Sequence, residues 1–222
     1  MLQSVTAFVT LHQNNNNLKA PGHILFLIGT FGVLFGVGML IEHTQPAGLT
    51  DEALEPDILL SNSRTYFEED AHGRSVMHLY NAIEAIKKIE QDLEPESKEK
   101  VDRAVVQLEQ ILQDMSGEIF DIKKLNEASV KALNALTYAE LKISEHFVES
   151  HELGKAKLAL KYGMLHVKHA LVFAEGAKKE YEISIYTEMD SLIESDELSD
   201  KEIIQKLERM IEDLDNLGLQ LD

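Results

Sequence analysis

From Ser63 onward, apolar residues recur every three or four positions, and no strand-like alternation bounded by turn residues interrupts that rhythm. A chain patterned this way buries one stripe of each helix against other helices, so the fold class it predicts is all-α. The clearest stripe is Val101, Ala104, Val105, Leu108, Ile111, Leu112 and Met115, on a helix from about Ser97 to Met115 that ends at Gly117. Another is Ile203, Leu207, Met210, Ile211, Leu214 and Leu217, on a helix from Asp200 to Leu217. Ser199 and Glu202 before it have the spacing of a capping box.

Punctuation marks the remaining helices. One is predicted from about Tyr66 to Leu93, stopped by Pro95; one from Ile122 to Glu152, broken at Gly154; and one from there to about Tyr181. A shorter segment spans Ile183 to Glu194. Short connections make neighbouring helices antiparallel. The predicted architecture is an antiparallel four-helix bundle over 64–182, with an extra amphipathic C-terminal helix in 183–222. The helix after Gly154 is apolar over most of its circumference, with a solvent strip of Lys157, Lys161, Lys168, Glu175 and Lys179, so it is predicted to be central or covered.

The first fifty residues differ. Residues 1–21 read as a flexible N-terminal segment with a polar tract at Asn14–Asn17. Ile24–Ile41 carries no charge, and a membrane-spanning helix needs about 20 such residues. Residues 22–42 are therefore predicted to form a single transmembrane helix. A cleaved signal peptide fits less well, because the preceding region is long and no A-x-A site follows. A buried core helix would carry less glycine. Gly29, Gly32 and Gly36 would let another membrane helix approach closely, Gly32 and Gly36 forming a GxxxG pair. Lys19 precedes the span and no Lys or Arg follows until Arg64, which predicts a cell-membrane protein with most of the chain extracytoplasmic. Residues 43–63, with Pro46, Gly48 and Pro56, read as a linker.

Composition removes several functions. With no cysteine, there is no disulfide framework, thiolate metal site or cysteine nucleophile. A formal charge of −18 argues against nucleic acid as a partner. Phosphate-cradling loops, GxSxG and HExxH are missing. Met77, Met115, Met164 and Met210 read as core filler.

The candidate chemistry lies in polar residues on apolar faces. On a helical wheel His166 falls with Ala159, Gly163, Ala170, Phe173 and Ala177, and Glu140 falls with Ser129, Leu133, Leu136, Ile143 and Phe147. Both lie thirteen residues from a turn near Leu153, so an antiparallel pair brings them to one level. The ordinary role for such a pair is a hydrogen bond that fixes register. A metal reading adds His169 and His78 to Glu140 and His166, as ligands for one divalent transition metal. Glu68 and His72 are predicted to face inward with Leu79, Ile83 and Ile86. A di-iron site would need a second Glu-x-x-His beside Glu69-x-x-His72, and there is none.

The function these features predict is a non-catalytic, membrane-anchored accessory or scaffold subunit of a larger membrane protein complex. Its partners would be other membrane subunits, or a second copy through the transmembrane helix, and it would carry no cofactor. The alternative is a metal- or small-ligand-binding bundle using the buried Glu/His cluster.

Overall fold

A computed structural model describes residues 51–115, 120–195 and 197–218. These residues belong to one compact unit, Leu49–Asp222. They form a helical bundle with seven α-helices: α1 Asp51–Glu68, α2 His72–Glu90, α3 Pro95–Asp114, α4 Ile122–Glu149, α5 Leu153–Phe173, α6 Gly176–Glu194 and α7 Asp200–Asp213. A single wide π-type turn, Leu214–Gly218, follows α7. No strand occurs among the described residues.

Local chemistry explains where helices begin. Pro95 opens α3, where its missing N–H costs nothing, and the Glu94 carboxylate accepts from the N–H groups of Glu96 (2.8 Å) and Ser97 (2.6 Å). Asp121 caps α4 through the Lys123 N–H at 3.0 Å. The capping box of α7 forms as expected.

Three breaks differ from the sequence expectation. The helix predicted over 66–93 is two helices. Asp70 adopts φ 57° and the Ala71 N–H reaches the Tyr66 carbonyl at 2.8 Å, closing α1 and reversing the chain into α2. Glu68 and His72 flank that reversal and are exposed rather than inward-facing. The α4–α5 turn is made by His151 at φ 60°, with the Glu152 N–H on the Phe147 carbonyl (2.8 Å); Gly154 lies inside α5. The third break comes after Phe173, where Ala174 and Glu175 are extended and Gly176 takes φ +56°, a conformation only glycine adopts without strain.

The expected linker gives way at residue 51. Asp51–Glu68 is helical with Pro56 inside it. Ala53, Pro56, Leu60, Ser63 and Phe67 share one face of α1, and Pro56, Leu60 and Ser63 are buried. Tertiary burial here outweighs the local cost of an interior proline.

Two apolar cores are joined by α4. One gathers Leu60, Leu79, Ile83, Ile86, Val101, Leu108, Leu125, Leu133 and Phe173. The other gathers Tyr138, Leu141, Leu160, Val167, Ile185, Met189, Leu207 and Met210. The spine of the fold is α4, whose residues 132–139 are all buried, and α5 lies beside it. Met77, expected in a core stripe, is exposed, whereas Met115 and Met210 are buried.

The predicted span at 22–42, with Gly29, Gly32 and Gly36, lies outside the described residues. Among the described residues no helix is long and apolar enough to cross a membrane. That finding overturns the expected localisation as a single-pass cell-membrane protein. Most of the apolar surface of α4 and α5 is buried against neighbouring helices of the chain itself, with Leu153 and Val172 as exposed exceptions.

Candidate functional site

The boundary between the two cores is polar. Around Thr137 on α4 and His166 on α5, both buried, the apolar clusters hand over from one to the other. Asp57 enters this level from α1 with no solvent exposure at all. The Nδ1–H of His166 donates to both of its carboxylate oxygens, at 2.9 and 3.0 Å, and the Nδ1–H of His169 donates to Oδ2 at 2.7 Å. His166 is 2% exposed, whereas the His169 side chain is 32% exposed and forms the outer edge of the group.

Burial and charge pull in opposite directions here. Burial alone would raise the Asp57 carboxyl, but the facing His166 charge and the hydrogen bonds from both imidazoles hold it below its usual range. Burial would lower His166; the Asp57 charge and hydrogen bond, with the nearby Glu140 charge, raise it instead. The group is therefore set up as a carboxylate facing an imidazolium.

Glu140 stands beside this pair. It keeps some solvent contact, yet burial raises its carboxyl to about 7 against the lowering pull of His166. It meets α5 at Gly163: a Cβ there would lie 3.3 Å from the Glu140 Cβ and 2.8 Å from the Met189 Cε. Glycine lets α4, α5 and α6 approach at this level. Glu140 and His166 thus interact electrostatically, as the turn-counting argument expected, but the hydrogen-bond partner of His166 is Asp57.

Of the other residues suggested as metal ligands, His169 joins the Asp57 group. His78 is placed on α2, stacked on Tyr66 with ring centroids 5.0 Å apart. No group of three or more His, Asp or Glu side chains arranged to hold a metal ion occurs among the described residues. Carboxylate-oriented imidazoles support metal sites and hydrolytic triads elsewhere. Here the more strongly held imidazole is shut away from solvent.

Three further polar contacts were not foreseen. The Asn134 Nδ2 donates to Glu182 Oε1 at 2.8 Å, joining α4 to α6. Glu182 is 1% exposed, its Oε2 has no hydrogen-bond partner, and burial raises its carboxyl to about 7 despite the Asn134 bond. Tyr138 donates its O–H to Glu96 Oε1 at 2.6 Å. Lys100, nearly fully buried, lies over the Tyr138 ring at 4.6 Å and pairs with Asp215. Asp57 itself could have been found from the 3–4–3–4 spacing of Ala53, Pro56, Leu60, Ser63 and Phe67, which places it beside an apolar stripe.

No family model, curated protein or solved structure matches the chain.

Proposed function

We propose that this chain is a non-catalytic helical-bundle protein that serves as an accessory or scaffold subunit of a larger protein assembly. The observation that carries this reading is the use made of Asp57, His166 and His169. They bind one another across α1 and α5, and the charge they hold is spent on fixing helix positions rather than presented to a substrate. A buried hydrogen-bonded pair of this kind specifies one register among several that apolar packing would tolerate.

The surface supports the same reading. Ile58 on α1 and Val172 on α5 are each more than half exposed, on the two helices that the Asp57 group ties together. Apolar side chains held out on a rigid frame are what a docking partner needs.

The test is cross-linking of the tagged full chain at its native expression level, followed by mass spectrometry, in wild type and in an Ile58→Glu/Val172→Glu variant. A partner held by the wild type and lost by the folded variant supports the reading. Recovery of the uncross-linked monomer alone from both would overturn it.

A further inference from the structure

Helix α6 carries a carboxylic acid within its packing seam. The residues it buries form one inward stripe: Glu182, Ile185, Met189, Leu192 and Ile193. Non-helical backbone bounds the helix at both ends. Ala174 and Glu175 are extended, Gly176 takes φ +56°, and Ser195 is extended again. We propose that α6 is a proton-locked strap: it stays docked while Glu182 carries its proton, and ionisation of Glu182 releases it as a unit about those two ends.

Two buried carboxyls of this fold are held in different ways. Asp57 receives the N–H groups of two imidazoles and faces the charge of His166. Glu182 is 1% exposed and receives one neutral N–H, from Asn134 to Oε1 at 2.8 Å, while Oε2 has no hydrogen-bond partner. A charge taken out of water needs a counter-charge or several donors, so this seat suits the neutral acid and not the carboxylate. Once ionised, Glu182 is best solvated by water, and reaching water means leaving the seam.

The charged groups on the surrounding elements include Lys131 and Glu140 on α4, His166 and Lys168 on α5, Asp213 at the end of α7 and Asp215 in the π-type turn. None of them acts on the Glu182 carboxyl, which burial raises to about 7 against the single Asn134 bond. Asp213 and Glu188 act on the adjacent Tyr181 instead. Glu140 stands near Met189 of α6 across Gly163, and its carboxyl is also raised to about 7, but the His166 charge partly offsets its burial.

Release returns Glu182 to its ordinary 4.5. Between about 4.5 and 7 the released form therefore gains on the docked form roughly tenfold per pH unit, and above 7 the gain levels off near 300-fold. The neighbouring α7 buries Ile203, Leu207 and Met210, all apolar, and packs on α4, so the release is confined to α6. It uncovers the Ile185, Met189 and Leu192 face of the second core.

Native-state hydrogen exchange of the full chain from pH 5 to pH 8, corrected for intrinsic exchange rates, tests this helix by helix. The opening constant of α6 is expected to rise by roughly 50-fold over that range, most of it below about pH 7, while α4 and α7 keep their protection. Glu182→Gln keeps an acceptor for Asn134 and should cut the rise to about threefold or less, the remainder belonging to Glu140. Should that variant fail to fold, Glu182→Met, which completes the apolar stripe, should do the same. Asp190→Asn, at an exposed position of α6, should leave the wild-type rise unchanged. An α6 opening constant that does not rise with pH overturns the proposal. So does a loss of protection shared equally by α4, or a wild-type rise retained in a folded Glu182 variant.

Discussion

Asp57 and His166 stand 109 positions apart in the chain and meet at 2.9 Å, with essentially no solvent on either side chain. Their contact helps decide where α1 sits: it is a buried charged link between α1 and α5, and Arg64 of α1 adds another at the surface by donating to the Val172 carbonyl.

Removing one partner of that link leaves the other buried and unpaired. Asp57→Ala is expected to cost about 3–5 kcal/mol of folding free energy, the range for breaking a buried ion pair. Asp102→Ala, at an exposed position of α3, should change stability by less than about 0.5 kcal/mol. Urea unfolding followed by circular dichroism measures both. An Asp57→Ala midpoint within error of Asp102→Ala would show that the pair does not anchor α1.

Stability should rise as the solution is made mildly acidic. Glu140 and Glu182 ionise near 7 in the folded chain against an ordinary 4.5. Their contribution is complete below about 4.5 and is withdrawn as pH climbs through about 7. His166, raised from 6.5, acts in the same sense at higher pH. Asp57, lowered from 3.8, works oppositely: its contribution is lost only as pH falls through its depressed value. The thermal midpoint is therefore expected to be higher near pH 5 than at pH 8. Glu182→Gln removes one of the ionisations and should be the more stable protein at pH 8, by on the order of 1–3 kcal/mol. A midpoint that increases from pH 5 to pH 8 would contradict this account.

Gly163→Ala sets two effects against each other. Alanine gains about 1 kcal/mol of helix propensity over glycine. The new methyl would press on the Glu140 Cβ at 3.3 Å and the Met189 Cε at 2.8 Å. Met189 can swing aside, but Glu140 meets the methyl close to its own backbone. Overpacking costs typically about 1–3 kcal/mol, so the net change is expected to be destabilising. Denaturant midpoints for the variant decide it; a gain in stability would mean that α4 and α5 part easily at this level.

Two of the chain's six tyrosines should resist alkaline titration. Burial, with the Glu96 hydrogen bond and charge, pushes the Tyr138 phenol far above its usual range. Burial and the Glu182 charge do the same for Tyr181. Absorbance at the phenolate band should show a late step that coincides with loss of helical signal. Tyr138→Phe should shrink that step. Six tyrosines ionising together near their ordinary value would rule out the buried Tyr138 contact.

How much of this was legible beforehand depended on sequence distance. The stripe of α3 from Val101 to Met115 and the Ser199–Glu202 cap were readable because every interacting group lies within a few turns. Turn-counting placed Glu140 near His166 because one hairpin joins them. Asp57 was missed because Pro56 and its acidic neighbours look like a linker, and its hydrogen-bond partners lie over a hundred residues away. The break at Asp70 was missed, and the turn expected at Gly154 falls at His151 instead, because both residues take left-handed backbone without being glycine. The chemistry around Glu182 was hidden by the expectation that one helix ran through to Tyr181, which concealed the start of α6.

Ser63 and Ser75, twelve positions apart, exchange hydrogen bonds across the α1–α2 hairpin: each hydroxyl donates to the other's carbonyl, at 2.9 and 2.6 Å. Closing so short a loop costs less entropy than closing the one that joins Asp57 to His166. In time-resolved refolding, α1 and α2 are thus expected to zip together first and to reach the histidines as a preassembled piece. Helix α1 arrives at its charged anchor already carrying a partner.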